Sequence, residues 1–268
     1  MQKLKVVLYI ILALYIILIV VCFFIQTKLI FYPSKITHDF QFEKSYNYDE
    51  IFLKTSDNED INGLFFKAKS DKVILYFHGN AGSLESWQYV YNDLKFLEYN
   101  LLVIDFRGYG KSSGKISEKG LYIDGQTAYD YLVKSGFKQE NIIIYGRSIG
   151  CGIAVDLASH NKSKALILEA PFTSFKKLAN HIVPFLFPSL FLNYSLDNLS
   201  KINKVNTPLL IIHGKKDGLI PFRFGEALYK EYKGTKEFLA ISEGTHNDLP
   251  SFAEYGKALG YFFEKLPK

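Results

Sequence analysis

A chain of 268 residues, 48% of them hydrophobic, can bury a sizeable core and falls within the range of a single α/β domain. Its formal net charge of +5 comes from lysines spread along the whole length. With no basic block and no nucleic-acid-binding motif, that points away from nucleic acid as a partner. Two cysteines and six dispersed histidines supply neither a disulfide framework nor zinc-ligand spacing, so no metal is expected and the compartment stays open.

The chain begins with an unbroken apolar run from Val6 to Ile25, flanked by Lys3 and Lys5 on one side and Lys28 on the other. About twenty residues at 1.5 Å each span roughly 30 Å, the hydrocarbon thickness of a bilayer. Insertion of such a run is favourable by roughly 5–10 kcal/mol. A cleaved signal peptide is the competing reading, but the run is long and no small-x-small site closes it. A lipid-modified Cys22 is disfavoured by the bulky Val21 before it. Residues 1–28 therefore read as an N-terminal transmembrane anchor, in contact with lipid over residues 6–25. Residues 29–268 read as the folded domain. Flanking charges are nearly balanced, and the short N-terminal tail favours a domain on the non-cytoplasmic side.

After a short connector, Ile51–Leu53 and Leu64–Phe66 flank the polar turn 56–60 and predict a β-hairpin. From there short apolar runs alternate with helical patterns. Strands are expected at Val73–Phe77, Leu101–Phe106, Ile142–Tyr145, Ala165–Leu168, Leu209–His213 and Glu237–Ile241. Helices are expected near 84–97, 121–134, after Ser148, 222–232 and 249–264. That alternation implies α/β architecture, a mostly parallel central sheet with helices on both faces. In such sheets sites form beyond the carboxyl ends of the strands. One segment interrupts the pattern. Residues 172–206 hold the run Val183–Leu192, too apolar for an ordinary exposed loop and broken by Pro184 and Pro188. It reads as a small cap over the site, with a membrane-contacting patch or extra core as alternatives.

Gly146-Arg147-Ser148-Ile149-Gly150 follows the run at 142–145 and precedes a helical pattern. This is the G-x-S-x-G arrangement in which a sharp strand-to-helix turn lifts a serine hydroxyl out of the sheet. A hydroxyl needs a base to take its proton and a third group to orient that base. Asp217 lies just past the strand-like run 209–213, and His246 lies between the last expected strand and last helix, giving the chain order Ser, Asp, His. Asp248 and Glu169 are rivals for the acid. Asp217 is favoured because its loop follows a strand beside the histidine-bearing one. His78 is the rival base, but it precedes the elbow and belongs to His78-Gly79-Asn80-Ala81-Gly82. The tetrahedral intermediate of acyl transfer needs preorganised N–H donors. The backbone N–H groups of Ile149 and Asn80 are the expected pair.

Phe31-Tyr32-Pro33, the 78–82 loop, Asp105 to Ser112, the elbow, His213 to Asp217 and Gly244 to Asp248 together resemble α/β-hydrolase-fold serine hydrolases. The likeness is to the small membrane-anchored "alpha/beta hydrolase domain-containing" type. It implies the α/β-hydrolase fold and a Ser148–Asp217–His246 triad working without cofactor. It also implies acyl ester or thioester cleavage on a small-molecule or lipid-like ester; some relatives remove fatty acyl groups from proteins. Relatives of that kind often carry a cysteine-rich N-terminus, whereas here only Cys22 lies in that region. A serine peptidase of the same fold, or a catalytically silent membrane-tethered binding module, are the alternatives.

Overall fold

The computed structural model describes residues Gln2–Leu266. Helix α1 (Gln2–Ile30) is continuous over 29 residues, two past the expected boundary at residue 28. By length and composition it can cross a membrane, and its most apolar stretch is buried by nothing else in the chain. The chain then passes through strands β1 (Tyr32–Pro33), β2 (Tyr48–Lys54), β3 (Asp60–Phe66), β4 (Val73–Phe77) and β5 (Ala81–Gly82). Helices α2 (Leu84–Trp87) and α3 (Val90–Leu94) lead to β6 (Asn100–Ile104), α4 (Glu118–Lys134), β7 (Ile142–Arg147), α5 (Gly150–Ala158) and β8 (Ala165–Glu169). The remainder is α6 (Phe175–Ile182), α7 (Asn198–Lys201), β9 (Leu209–Gly214), α8 (Arg223–Glu231), β10 (Lys236–Ile241) and α9 (Ala253–Lys265).

Among the described residues, eight strands form one sheet in the order β10-β9-β8-β7-β4-β6-β3-β2. Pairing is parallel from β10 through β6, and β3 runs antiparallel to both its neighbours. The sheet is therefore mostly parallel, as its unbroken apolar strands require: β4, VILYF, is buried at all five positions. Alternation divides those side chains between two cores. Val73, Leu75 and Phe77 pack with α4, α5 and α8 on one face. Ile74 and Tyr76 pack with α3 and α9 on the other. Full burial of each such side chain contributes roughly 1.5–3 kcal/mol, which fixes the sheet as the frame for the loops at its carboxyl edge.

Serine and aspartate caps start several helices: the side chains of Ser117, Ser174 and Asp197 accept from the backbone N–H of Gly120, Lys177 and Ser200. The single helix expected over 84–97 is instead α2, α3 and a 3-10 turn at Lys95–Leu97. Gln88 lies between the first two, its side chain donating to the Glu85 carbonyl and accepting from the Glu43 N–H, so it ties the break to the rest of the fold.

The chain between β8 and β9 contains α6, two 3-10 turns beginning at Pro184 and Pro188, and α7. It lies against α1. Tyr15 donates to the Phe185 carbonyl at 2.7 Å, Asn193 N–H donates to Gln26 Oε1 at 2.7 Å, and the Thr27 and Tyr194 hydroxyls are 2.8 Å apart. A second, two-stranded sheet pairs β1 with β5 in parallel, immediately after the helix ends.

Candidate active site

β7 delivers Ser148 at the carboxyl edge of the sheet, next to α5. Ser148 has φ +54°, so the non-glycine residue itself takes the left-handed conformation. The flanking glycines have a different task. A Cβ on Gly150 would come within 2.1 Å of the Phe77 carbonyl oxygen, and one on Gly146 within 2.6 Å of the Gly150 oxygen. They allow β4, β7 and α5 to meet at closest approach, while Ser148 N–H donating to the Glu169 carbonyl at 2.8 Å holds the turn.

The three side chains expected to act together converge. His246 Nε2 lies 3.0 Å from Ser148 Oγ, and His246 Nδ1 lies 2.8 Å from Asp217 Oδ2. The other carboxylate oxygen, Oδ1, accepts from the backbone N–H of Leu219 and of Ile220, each at 2.8 Å. Burial alone would push the Asp217 carboxyl up. Hydrogen bonding from His213 and His246 and the Ile220 N–H outweigh it and hold the group well below its ordinary value. The Asp217 and His246 loops are joined by Lys216 N–H donating to the Gly244 carbonyl at 3.0 Å.

The rivals are placed elsewhere. Asp248 Oδ1 accepts from the Thr245 N–H at 2.7 Å and shapes the histidine's own turn. Glu169 accepts from the Tyr145 and Tyr255 hydroxyls and lies 3.1 Å from Arg147 Nε. His78 is enclosed by the rings of Trp87, Phe106 and Tyr109, with Nε2 facing Asp105.

Asn80 and Ile149 both line the cavity at Ser148. Among the described residues, no backbone carbonyl or side chain takes the N–H of either one. The Asn80 loop is fixed from two sides. Tyr109 donates to the Asn80 carbonyl at 2.7 Å, and the Asn80 side-chain amide donates to the Ile30 carbonyl at the end of α1.

Two contributors carried no signal of their own in the sequence. His213 donates through Nε2 to the Ile220 carbonyl at 2.8 Å and approaches Asp217 Oδ2 at 3.5 Å, bracing the loop that presents the carboxylate. Arg147, the variable position of the elbow, lies over the Trp87 ring beside Glu169. Burial works against its charge and the Glu169 carboxylate more than restores it, so its guanidinium stays protonated. Only their place one residue before Ser148 and four before Asp217 could have pointed to them.

The cavity over Ser148 has a volume of about 440 Å³ and an almost wholly apolar lining. Phe172, Phe175, Leu178 and Val183 come from the segment after β8, and Leu219 and Ile220 from the Asp217 loop. Cys22, Gln26 and Leu29, spaced one helical turn apart, come from α1. Arranged this way, the site can deprotonate a serine hydroxyl beside a hydrophobic chamber.

A family profile described as the alpha/beta hydrolase fold matches residues 72–193. Human "Alpha/beta hydrolase domain-containing protein 17B" is 36% identical over 221 residues, covering 80% of this chain and 74% of its own length. A solved esterase from Pyrococcus furiosus superposes with a TM-score of 0.74 at 22% identity, over 88% of this chain and 98% of that one. An acylaminoacyl peptidase from Pyrococcus horikoshii does so at 0.64 and 19% identity, over 82% of this chain and 41% of its own. At such identities these two similarities speak to the fold alone, and they show it carrying different bond specificities.

Proposed function

The chain belongs to the α/β-hydrolase family and shares its hydrolase fold, and on that premise we propose a membrane-anchored serine hydrolase that cleaves carboxylic acyl esters or thioesters. Residues 1–28 form the anchor, 29–268 the hydrolase domain, and 172–206 a cap over its site. The observation that carries the reading is the continuous relay from Asp217 through His246 to Ser148 Oγ, at 2.8 and 3.0 Å, opening into an apolar chamber.

The chemistry follows from those contacts. Ser148 Oγ attacks the acyl carbon while His246 Nε2 takes its proton, and Asp217 orients the ring and stabilises the imidazolium that results. Negative charge on the carbonyl oxygen is met by the N–H groups of Ile149 and Asn80, held ready by the elbow and by the Tyr109 and Ile30 contacts. Collapse breaks the bond to the leaving alcohol or thiol, which receives the proton from His246. Water, deprotonated by the same ring, then attacks the acyl-Ser148 ester and releases the acid. No step calls for a metal or cofactor.

A fluorophosphonate probe tests this: the wild-type chain in membranes should be labelled, and Ser148→Ala should not. Turnover of a p-nitrophenyl ester should fall by about 10⁶ in Ser148→Ala. Undiminished turnover in that variant defeats the proposal. Labelling of intact against permeabilised cells reads the separate expectation that the domain lies on the non-cytoplasmic side.

A further inference from the structure

We propose that the acyl group reaches Ser148 from inside the bilayer, along the seam between α1 and the segment after β8. The substrate is then an ester or thioester whose long acyl chain is already dissolved in the leaflet. This rests on the serine-hydrolase reading above and adds to it a source and a route.

The chamber wall is shared between two parts of the chain that sequence treats as separate. Cys22, Gln26 and Leu29 form one face of α1, and they line the same cavity as Ser148. Read along the helix from Cys22 to Ile30, the lining leads from the apolar run to the catalytic edge of the sheet. Opposite it stand Ala179, Ile182, Val183 and Leu186. Neither wall presents a charged group to the cavity, so the seam suits a hydrocarbon chain. Its volume of about 440 Å³ lies within the roughly 300–1,000 Å³ of small-molecule sites, which leaves room for an acyl chain.

The depth of the seam is set by hydrogen bonds. Tyr15 lies eleven residues before Gln26, roughly 16 Å along a helix. Its hydroxyl takes up the Phe185 carbonyl, a backbone group that hydrocarbon would otherwise leave unpaired. If α1 spans the membrane, the turns at Pro184 and Pro188 are carried into the leaflet beside it. Their exposed side chains fit that position: Phe185, Phe187 and Leu190 do not line the cavity and are all turned outward, with Leu190 85% exposed. Three large apolar groups exposed within six residues are the kind of surface that marks a membrane contact. In lipid such groups carry no exposure cost, and they sit in the same segment as the chamber-lining Val183 and Leu186.

The test uses the full chain in phosphatidylcholine vesicles, with p-nitrophenyl palmitate dissolved in the bilayer and p-nitrophenyl acetate in the water. Wild-type palmitate turnover should follow the ester's mole fraction in the bilayer and not its bulk concentration. Cys22→Trp and Ala179→Trp, which block the seam from opposite walls, should each lower the palmitate-to-acetate ratio of kcat/KM by about tenfold or more. Leu14→Trp, on a part of α1 that does not line the cavity, should leave the ratio within about twofold. Fluorophosphonate labelling of Ser148 in each variant reports that it has folded. An active wild type whose ratio is unmoved by both seam variants, or whose rate follows bulk concentration, overturns the membrane route and leaves the hydrolase reading standing. A wild type that cleaves neither ester and takes no label overturns the hydrolase reading and this inference with it.

Discussion

Replacing Gly150 by alanine should disable the site while leaving every side chain of the relay in place. The new Cβ would lie 2.1 Å from the Phe77 carbonyl oxygen and 2.7 Å from that of His78, against an ordinary contact of 3.4 Å or more. About 1.3 Å must open between α5 and the end of β4, and both obstacles are backbone, which cannot rotate aside. Overpacking of this kind typically costs about 1–3 kcal/mol, partly offset by the better helix propensity of alanine. The catalytic cost is larger. The gap separates the Ile149 N–H from the Asn80 N–H, and loss of one oxyanion donor lowers kcat by about 10²–10³. Turnover of p-nitrophenyl butyrate alongside a thermal melt reads both effects. Gly260→Ala, on α9 with open space at its Cβ, is the matched control and should be neutral or slightly stabilising. Wild-type kcat in folded Gly150→Ala would refute the assignment of the two amides.

Asp217→Asn should lower kcat by about 10⁴, because asparagine can still accept from Leu219 and Ile220 but no longer fixes the imidazole tautomer. The variant also carries a pH signature. The Asp217 carboxyl sits below its ordinary 3.8 in the fold, so its stabilising contribution is fully present above that value and is lost as pH falls through the folded-state value. Acid titration of the melting temperature should therefore be flatter in Asp217→Asn; an identical acid limb would show the carboxylate is not held as described. Glu169→Gln separates the rival acid from a structural one. It should destabilise by about 3–5 kcal/mol, since Arg147 loses its buried counter-charge, while kcat of the folded fraction falls far less than in Asp217→Asn. A 10⁴-fold loss of kcat with unchanged stability would make Glu169 the orienting acid instead.

The central parallel strands were legible because they are short apolar runs bounded by polar turns, buried on both faces, whereas β2 and β3 were legible as a hairpin from the polar turn between them. The elbow was legible as a pattern, but its physics was only half visible. The pattern announces a sharp turn but not how it is built: Ser148 itself takes φ +54°, and the glycines supply closeness. The split helix at 84–97 was hidden because its apolar periodicity continues through the break, which depends on Gln88 bonding to Glu43, 45 positions away. The α1 wall of the chamber was hidden for the opposite reason. A helix that is apolar all round carries no periodic mark of which face meets protein and which meets lipid. Gln26 was the one available sign, a polar side chain at the end of the run that is buried and bonded to Asn193.

The two-residue ladder between β1 and β5 changes what the N-terminal segment means for anyone handling this chain. Tyr32 and Pro33 pair with Ala81 and Gly82, and Asn80 holds the last helical carbonyl at Ile30. With no slack between helix and loop, the segment is not a leash that could be cut to free a soluble enzyme. A shortened chain would be missing one side of its chamber and the clamp on the Asn80 loop. Purification in detergent that keeps the segment, and not deletion to gain solubility, is the preparation in which specificity should be measured.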